Sequence, residues 1–272
     1  MRTVAFIGTG NMGGALAQAA CRALSPAEVI LANRSYEKAA SLARSLGCVA
    51  ALSNEAAVRS AKYIFLAVKP QAYGTLAKEL CPVLRSCHEA GQDKVLVSMA
   101  AGLTLSTLKA LYNDVGYHIP IFRIMPNTCV TIGKGVVALS GEDDTHLAVL
   151  EHILSKAGQV ERLDEPLMDA FTAVAGCGPA FIYPYIEALA DGGVMAGLPR
   201  DKAMRYAAQT VLGAAAMVLE TGKHPGQLKD EVCSPGGSTI AGVAELEHSG
   251  LRSAAINAVL ASWAKNKELG NR

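Results

Sequence analysis

Phe6-Ile7-Gly8-Thr9-Gly10-Asn11-Met12-Gly13 decides how this chain is read. The apolar run Val4 to Ile7 leads into Gly-x-Gly-x-x-Gly, and the small-residue run Gly14 to Ala20 follows at once. That order spells strand, tight turn, helix. Gly8 suits the turn, Gly10 lets a pyrophosphate approach the backbone, and Gly13 lets the helix pack on the strand. The helix start offers free N–H groups and a partial positive charge to phosphate. The motif alone is weak, since a structural turn can use the same glycines. Its place between strand and helix favours a dinucleotide site made of Gly8, Thr9, Gly10, Asn11, Met12 and Gly13.

Working outward, Glu28 to Ala32 is a second apolar run, closed by Asn33-Arg34-Ser35. An NAD-binding fold places an acidic residue about 20 residues past the glycine turn, on the ribose 2′-hydroxyl. Here that position holds Arg34, flanked by Asn33 and Ser35. This trio suits a 2′-phosphate, which a carboxylate would repel. Ser53 reads as a helix cap before Asn54 and Glu55. Tyr63 to Val68 is a strongly apolar strand stopped by Lys69-Pro70, and Val95 to Ser98 ends in Met99-Ala100-Ala101-Gly102. Both stops fall at the carboxyl edge of a parallel sheet, where ligands sit. Ile119 to Met125, Gly135 to Leu139 and Val160 to Leu163 supply further strands. Short strands alternating with helices predict an α/β fold, a Rossmann-type doubly wound parallel sheet.

After Glu165-Pro166 the texture changes. Ala- and Gly-rich helical stretches take over at 167–175, 179–196, 200–221 and 251–269. A boundary near residue 164 divides the chain into a dinucleotide-binding domain, 1–163, and an all-helical domain, 164–272. Ser234-Pro235-Gly236-Gly237-Ser238-Thr239, before the helix 239–248, has the make-up of an anion nest, although glycine turns at a cap would look the same.

Composition excludes several classes. Lys and Arg number 25 against 24 Asp and Glu, with no basic stripe, so nucleic acid is not the partner. Charged residues are 18% of the chain, which predicts surface hidden between subunits. The uncharged run Ala170 to Ile186 contains two prolines and is too short to span a membrane. The strand at residue 3 leaves no room for a secretory signal, and a cytoplasmic protein is expected. Seven cysteines without a C-x-x-C pair or His partner predict reduced thiols and no metal site.

Taken together, these segments resemble pyrroline-5-carboxylate reductases. The resemblance rests on the glycine turn, Ala67-Val68-Lys69-Pro70, Ala100-Ala101-Gly102 and Arg123-x-Met125-Pro126-Asn127-Thr128. It continues through Gly176-x-Gly178-Pro179-Ala180, Asp191-Gly192-Gly193-Val194, Gly197-Leu198-Pro199-Arg200, His224-Pro225 and Ser234-Pro235-Gly236-Gly237. It implies NADPH, or NADH, as cofactor and 1-pyrroline-5-carboxylate as substrate, with L-proline as product. It implies a helical domain interlocked with a second subunit, so a homodimer at least, or a larger assembly of dimers. Carried over by position, the cofactor residues are Gly8 to Gly13, Asn33, Arg34, Ser35, Asn54, Ala67, Val68, Lys69, Pro70, Met99, Ala100 and Ala101. The substrate residues are Gly236, Gly237, Ser238 and Thr239, together with Glu165; Thr239 is the catalytic candidate. Three positions depart from the family: Cys177 for the usual Ser, Ser238 for a common Thr, and Cys129 for Pro.

A protonated cyclic imine is already an electrophile, so the reaction asks for positioning more than acid chemistry. Gly236 to Thr239 would hold the carboxylate, the Thr239 hydroxyl the ring nitrogen, and Glu165 would favour the iminium charge. Two rivals stay open on the sequence. A 3-hydroxy-acid dehydrogenase on this architecture would carry a lysine four residues after Gly178, where this chain has Ile182. A non-catalytic NADP-binding protein would have no use for the 236–239 nest.

Overall fold

The computed structural model describes residues 2–270. The chain runs β1 (Arg2–Ile7), α1 (Asn11–Ala23), β2 (Val29–Ala32), α2 (Tyr36–Leu46), β3 (Val49–Ala50), α3 (Asn54–Ser60), β4 (Ala61–Leu66) and α4 (Tyr73–Glu89). It goes on through β5 (Val95–Ser98), α5 (Leu105–Leu111), β6 (Ile121–Pro126), β7 (Gly135–Ser140), α6 (Asp144–Leu154) and β8 (Gly158–Arg162). Helices follow: α7 (Met168–Phe171), α8 (Gly178–Met195), α9 (Arg200–Thr221), α10 (Pro225–Val232), α11 (Ser238–His248) and α12 (Leu251–Gly270).

The eight strands form one sheet in the order β3-β2-β1-β4-β5-β6-β7-β8. Its central strands are buried on both faces, which is why they read as unbroken apolar runs. Side chains alternate between two cores. Ile7, Ile64, Leu66 and Leu80 lie in one; Phe6, Leu16, Phe65 and Val97 lie in the other. The order reverses between β1 and its neighbours β2 and β4, which marks the switch point. The doubly wound parallel sheet expected from the sequence is present, with one local exception: β6 and β7 pair antiparallel. The link between them holds only a 3-10 turn, Thr128–Ile132, and a parallel return needs a crossover of a dozen or more residues. The sheet's two edges are β3, a pair of residues long, and β8, whose Gln159, Glu161 and Arg162 face solvent.

Three tight contacts set the first turn. Gly8 has φ +101°, and a Cβ on it would lie 2.5 Å from the Ala67 carbonyl oxygen. A Cβ on Gly13 would lie 2.2 Å from the Gly8 carbonyl oxygen and 2.7 Å from Ala67 Cβ. Backbone hydrogen bonds Gly8 N to Ala32 O and Ala67 N to Ile7 O, both 2.8 Å, complete the join.

The chain divides into two compact units. One holds the chain through Gly176 together with the end of α12 from Trp263; the other is Cys177–Ser262. The division thus falls beyond the expected boundary at residue 164. The reason is local: Met168 is buried with Met125 and Ala138, and Asn127 Nδ2 donates to the Ala175 carbonyl at 3.1 Å. The helix expected over 167–175 is also broken. It is α7 followed by a π turn, Thr172–Gly176, at whose start the Thr172 hydroxyl donates to the Met168 carbonyl.

The second unit is wholly helical, and it adds α10, which the sequence reading left unassigned. Its buried core is small: Ala190, Ala203 and Ala207, with Ile186 and Val194 packed beside them. Large apolar side chains lie open instead, among them Met195 (90% exposed), Leu219 (75%) and Val232 (66%). Three alanines do not supply the burial that a unit of this size needs, so its apolar faces require a covering surface.

The glycine contacts predict two different outcomes. Gly13→Ala should lower unfolding stability by about 2–3 kcal/mol, since the new carbon meets backbone rather than a movable side chain. Gly10→Ala should change it by less than about 0.5 kcal/mol, because a Cβ there meets no atom within 4 Å. Denaturant unfolding of the two variants checks both.

Candidate active site

The first unit carries the cofactor candidates on a single edge. Gly8 to Gly13 follows β1, Asn33 to Ser35 follows β2, Asn54 opens α3 after β3, Ala67 to Pro70 follows β4, and Met99 to Ala101 follows β5. Every one of these turns lies at the carboxyl end of a parallel strand, which is where the fold binds ligands.

The glycine turn divides its labour. Gly8 and Gly13 are fixed by packing, whereas nothing in the protein crowds Gly10. α1 starts on Gly10 with no side-chain cap and no acidic residue in its first turn, so its N–H groups remain free for an anion. Thr9 Oγ1 is buried beside it without a hydrogen-bond partner. These features fit a dinucleotide pyrophosphate.

The trio after β2 separates into two roles. Asn33 Oδ1 accepts the Thr9 N–H at 3.2 Å, and its Nδ2 donates to the Ser35 carbonyl at 3.2 Å. Asn33 therefore clamps the β1 turn to the β2 turn. Arg34 is exposed, and no ion pair engages it among the described residues. Its guanidinium is available to a 2′-phosphate. Asn54 is turned to another use, donating to Glu79 at 3.1 Å. Ser53 caps α3 as read from the sequence, accepting the Ala56 N–H at 3.1 Å. Lys69 is exposed at the end of the β4 turn.

Glu165 lies in this same unit, and its surroundings were not foreseen. Its Oε1 accepts from Arg123 Nη1 at 2.7 Å and from the Leu105 N–H at 2.6 Å. The Arg123 side chain, on β6, is 6% exposed, and the Glu165 side chain 27%. A buried guanidinium in an apolar strand demands a carboxylate, and Glu165 answers it. The pair ties β6 to the first residue of α5. The sequence signal was Arg123 itself, a charged residue inside the run Ile121–Pro126. Tyr73 and Ser98 were also missed; they form a buried hydrogen-bonded pair at 2.9 Å beneath the β4 and β5 turns.

The second unit holds the other candidate loop. Gly236 has φ +65°, and Gly237 precedes α11 in extended conformation. The Gly237 N–H donates to the Ser234 carbonyl at 3.1 Å, closing a turn. A Cβ on Gly237 would come within 2.4 Å of Ser234 Oγ. Ser238 and Thr239 are the first residues of α11, one residue earlier than the predicted start, and both are exposed with no side-chain cap bond. A helix start of this kind binds an anion through backbone N–H groups, with hydroxyls beside them. Among the described residues, no group of three or more His, Cys, Asp or Glu side chains is arranged to hold a metal, and no helix is long and apolar enough to cross a membrane.

Two family models match the chain: "NADP oxidoreductase coenzyme F420-dependent" over residues 3–102, and "Pyrroline-5-carboxylate reductase dimerisation" over residues 165–269. Pyrroline-5-carboxylate reductase from Pisum sativum is 42% identical over 98% of this chain and 96% of its own. The crystal structure of the Plasmodium falciparum pyrroline carboxylate reductase with NADP bound superposes with a TM-score of 0.84 at 31% identity, covering 99% of this chain and 98% of that one. The Coxiella burnetii pyrroline-5-carboxylate reductase gives a TM-score of 0.88 at 30% identity, with 98% of each chain covered. The likeness takes in the sheet, the glycine turn and the helical segment alike, and the chain belongs to the pyrroline-5-carboxylate reductase family.

Proposed function

We propose that this chain reduces the C=N bond of 1-pyrroline-5-carboxylate to give L-proline, with NADPH as the preferred donor and NADH as an alternative. What supports the reading above all is the match of the whole chain, both units included, to reductases of that name.

The nicotinamide cofactor, when bound, supplies the hydride. The chain's own residues bind and orient. The free N–H groups at the start of α1 take the pyrophosphate, and Gly10 leaves it room. Arg34 and Ser35 take the 2′-phosphate, held in place by the Asn33 clamp. The turns after β4 and β5 line the remaining half. At the start of α11, the Gly236 to Thr239 loop receives the substrate carboxylate, and the Thr239 hydroxyl hydrogen-bonds the ring nitrogen. The iminium carbon is electrophilic without an enzyme acid, so these contacts work by orientation. Glu165 acts at a remove in this scheme, since Arg123 and the Leu105 N–H already engage it.

The helical unit, 164–272 in its sequence definition, is completed by a second copy of the chain. Its three-alanine core and open apolar side chains ask for a large apolar partner surface, and a twofold pair of like units provides one. The enzyme so read is cytoplasmic and works as a homodimer or as an assembly of dimers.

Three outcomes follow from this scheme. Arg34→Asp should weaken NADPH binding by about 2–4 kcal/mol and NADH binding far less; fluorescence titration with each cofactor measures the difference, and equal losses would remove Arg34 from the 2′-phosphate. Thr239→Ala should cost about 1–3 kcal/mol in kcat/KM with NADPH affinity unchanged. Gly237→Val should be worse, because its branched side chain meets Ser234 and fills the anion's place. Steady-state turnover with a separate cofactor titration tests this pair. Sedimentation of the full chain at micromolar concentration should show a dimer or a multiple of one; a well-folded monomer would refute the covering surface.

A further inference from the structure

The cofactor turns after β4 and β5 contain Ala67, Val68, Pro70, Met99, Ala100 and Ala101, which have no polar side chains to anchor them. Their anchorage comes from below. Tyr73, the first residue of α4, is 1% exposed and donates its hydroxyl proton to the Leu66 carbonyl at 2.7 Å. That proton is then spent, so Ser98 is the donor in the 2.9 Å contact between the two hydroxyls. Ser98 Oγ in turn accepts the Ala100 N–H at 3.3 Å. The result is a one-way chain, Ala100 N–H to Ser98 O–H to Tyr73 O–H to Leu66 C=O, in which each bond polarises the next. Burial pushes the Tyr73 phenol up to about 12, above a value that already leaves it a donor at neutral pH.

The chain's two ends are placed with purpose. Leu66 is the last residue of β4, directly before Ala67, and Ala100 lies inside the β5 turn. Leu66 and Ser98 are register partners on adjacent strands. A dinucleotide lies across the switch point, with its adenosine half on the β2 side, where Arg34 stands, and its nicotinamide half on the β4 and β5 side.

We infer that Tyr73 and Ser98 are positioning residues for the nicotinamide half of the cofactor, setting the spacing of the Ala67–Pro70 turn against the Met99–Ala101 turn. The inference rests on the cofactor reading above. Neither side chain touches the cofactor; both act through the backbone of the turns.

The test uses the full-length protein and two ligands, NADPH and adenosine 2′,5′-bisphosphate, which is the adenosine half alone. Tyr73→Phe keeps the ring and removes only the hydroxyl; Ser98→Ala breaks the chain one link further on. Affinities are measured well below each variant's melting temperature. Both variants should bind NADPH about five- to tenfold more weakly and the bisphosphate within about twofold of the parent. Ser98→Thr, which keeps the hydroxyl, should restore NADPH affinity to within about twofold. Unchanged NADPH affinity with a lowered melting temperature would overturn the inference and leave the pair a scaffold. Equal losses for both ligands would overturn it too, as a general loosening. A parent protein that binds neither ligand refutes the cofactor reading itself, and this inference with it.

Discussion

The cofactor edge depends on one close approach. α1 lies against the β1 turn and the end of β4 with no space for a single side-chain carbon at Gly13, and Gly8 faces the Ala67 carbonyl just as tightly. This contact brings the start of α1 to the switch point, where its free N–H groups meet the open ends of β1 and β4. It also explains why the three glycines are unequal. Two are dictated by the protein's own atoms. The third, Gly10, is crowded by nothing in the protein, and a Cβ there would meet no atom within 4 Å.

Much of the first unit was legible because its strands are buried on both faces and cannot hide their apolar character. Val4 to Ile7, Glu28 to Ala32 and Val95 to Ser98 read as strands, and their ends gave the turns of the candidate cofactor edge. What escaped was set by tertiary contact. The reversal between β6 and β7 depends on the length of a connection. The π turn carries the Ala175 carbonyl that Asn127 holds from far along the chain. The clamp of Glu165 on Arg123 joins residues that no local pattern relates. The candidate site followed the same rule: Arg34 was proposed from its distance to the glycines, whereas Tyr73 and Ser98 become a unit only when α4 folds under β5.

The two units also differ in how they are held together. The first has two large apolar cores, one on each face of its sheet, besides the small cluster around Met168. The second closes on Ala190, Ala203 and Ala207 and leaves its larger apolar side chains to face outward. Small residues let α8 and α9 approach closely, but they bring little apolar area with them. Close helix packing and a modest core are two results of the same alanine-rich composition.

The sheet ends as deliberately as it begins. β3 is too short to offer a row of backbone groups, and β8 carries alternating polar and charged side chains, with Arg162 drawn back to Glu151 and Asp144. An edge of either kind makes a poor template for an extra strand. During synthesis, when many copies crowd together and the helical faces are still uncovered, these blunt borders discourage growth of the sheet into fibrous aggregates. Self-association is thereby left to the open apolar faces of the helices.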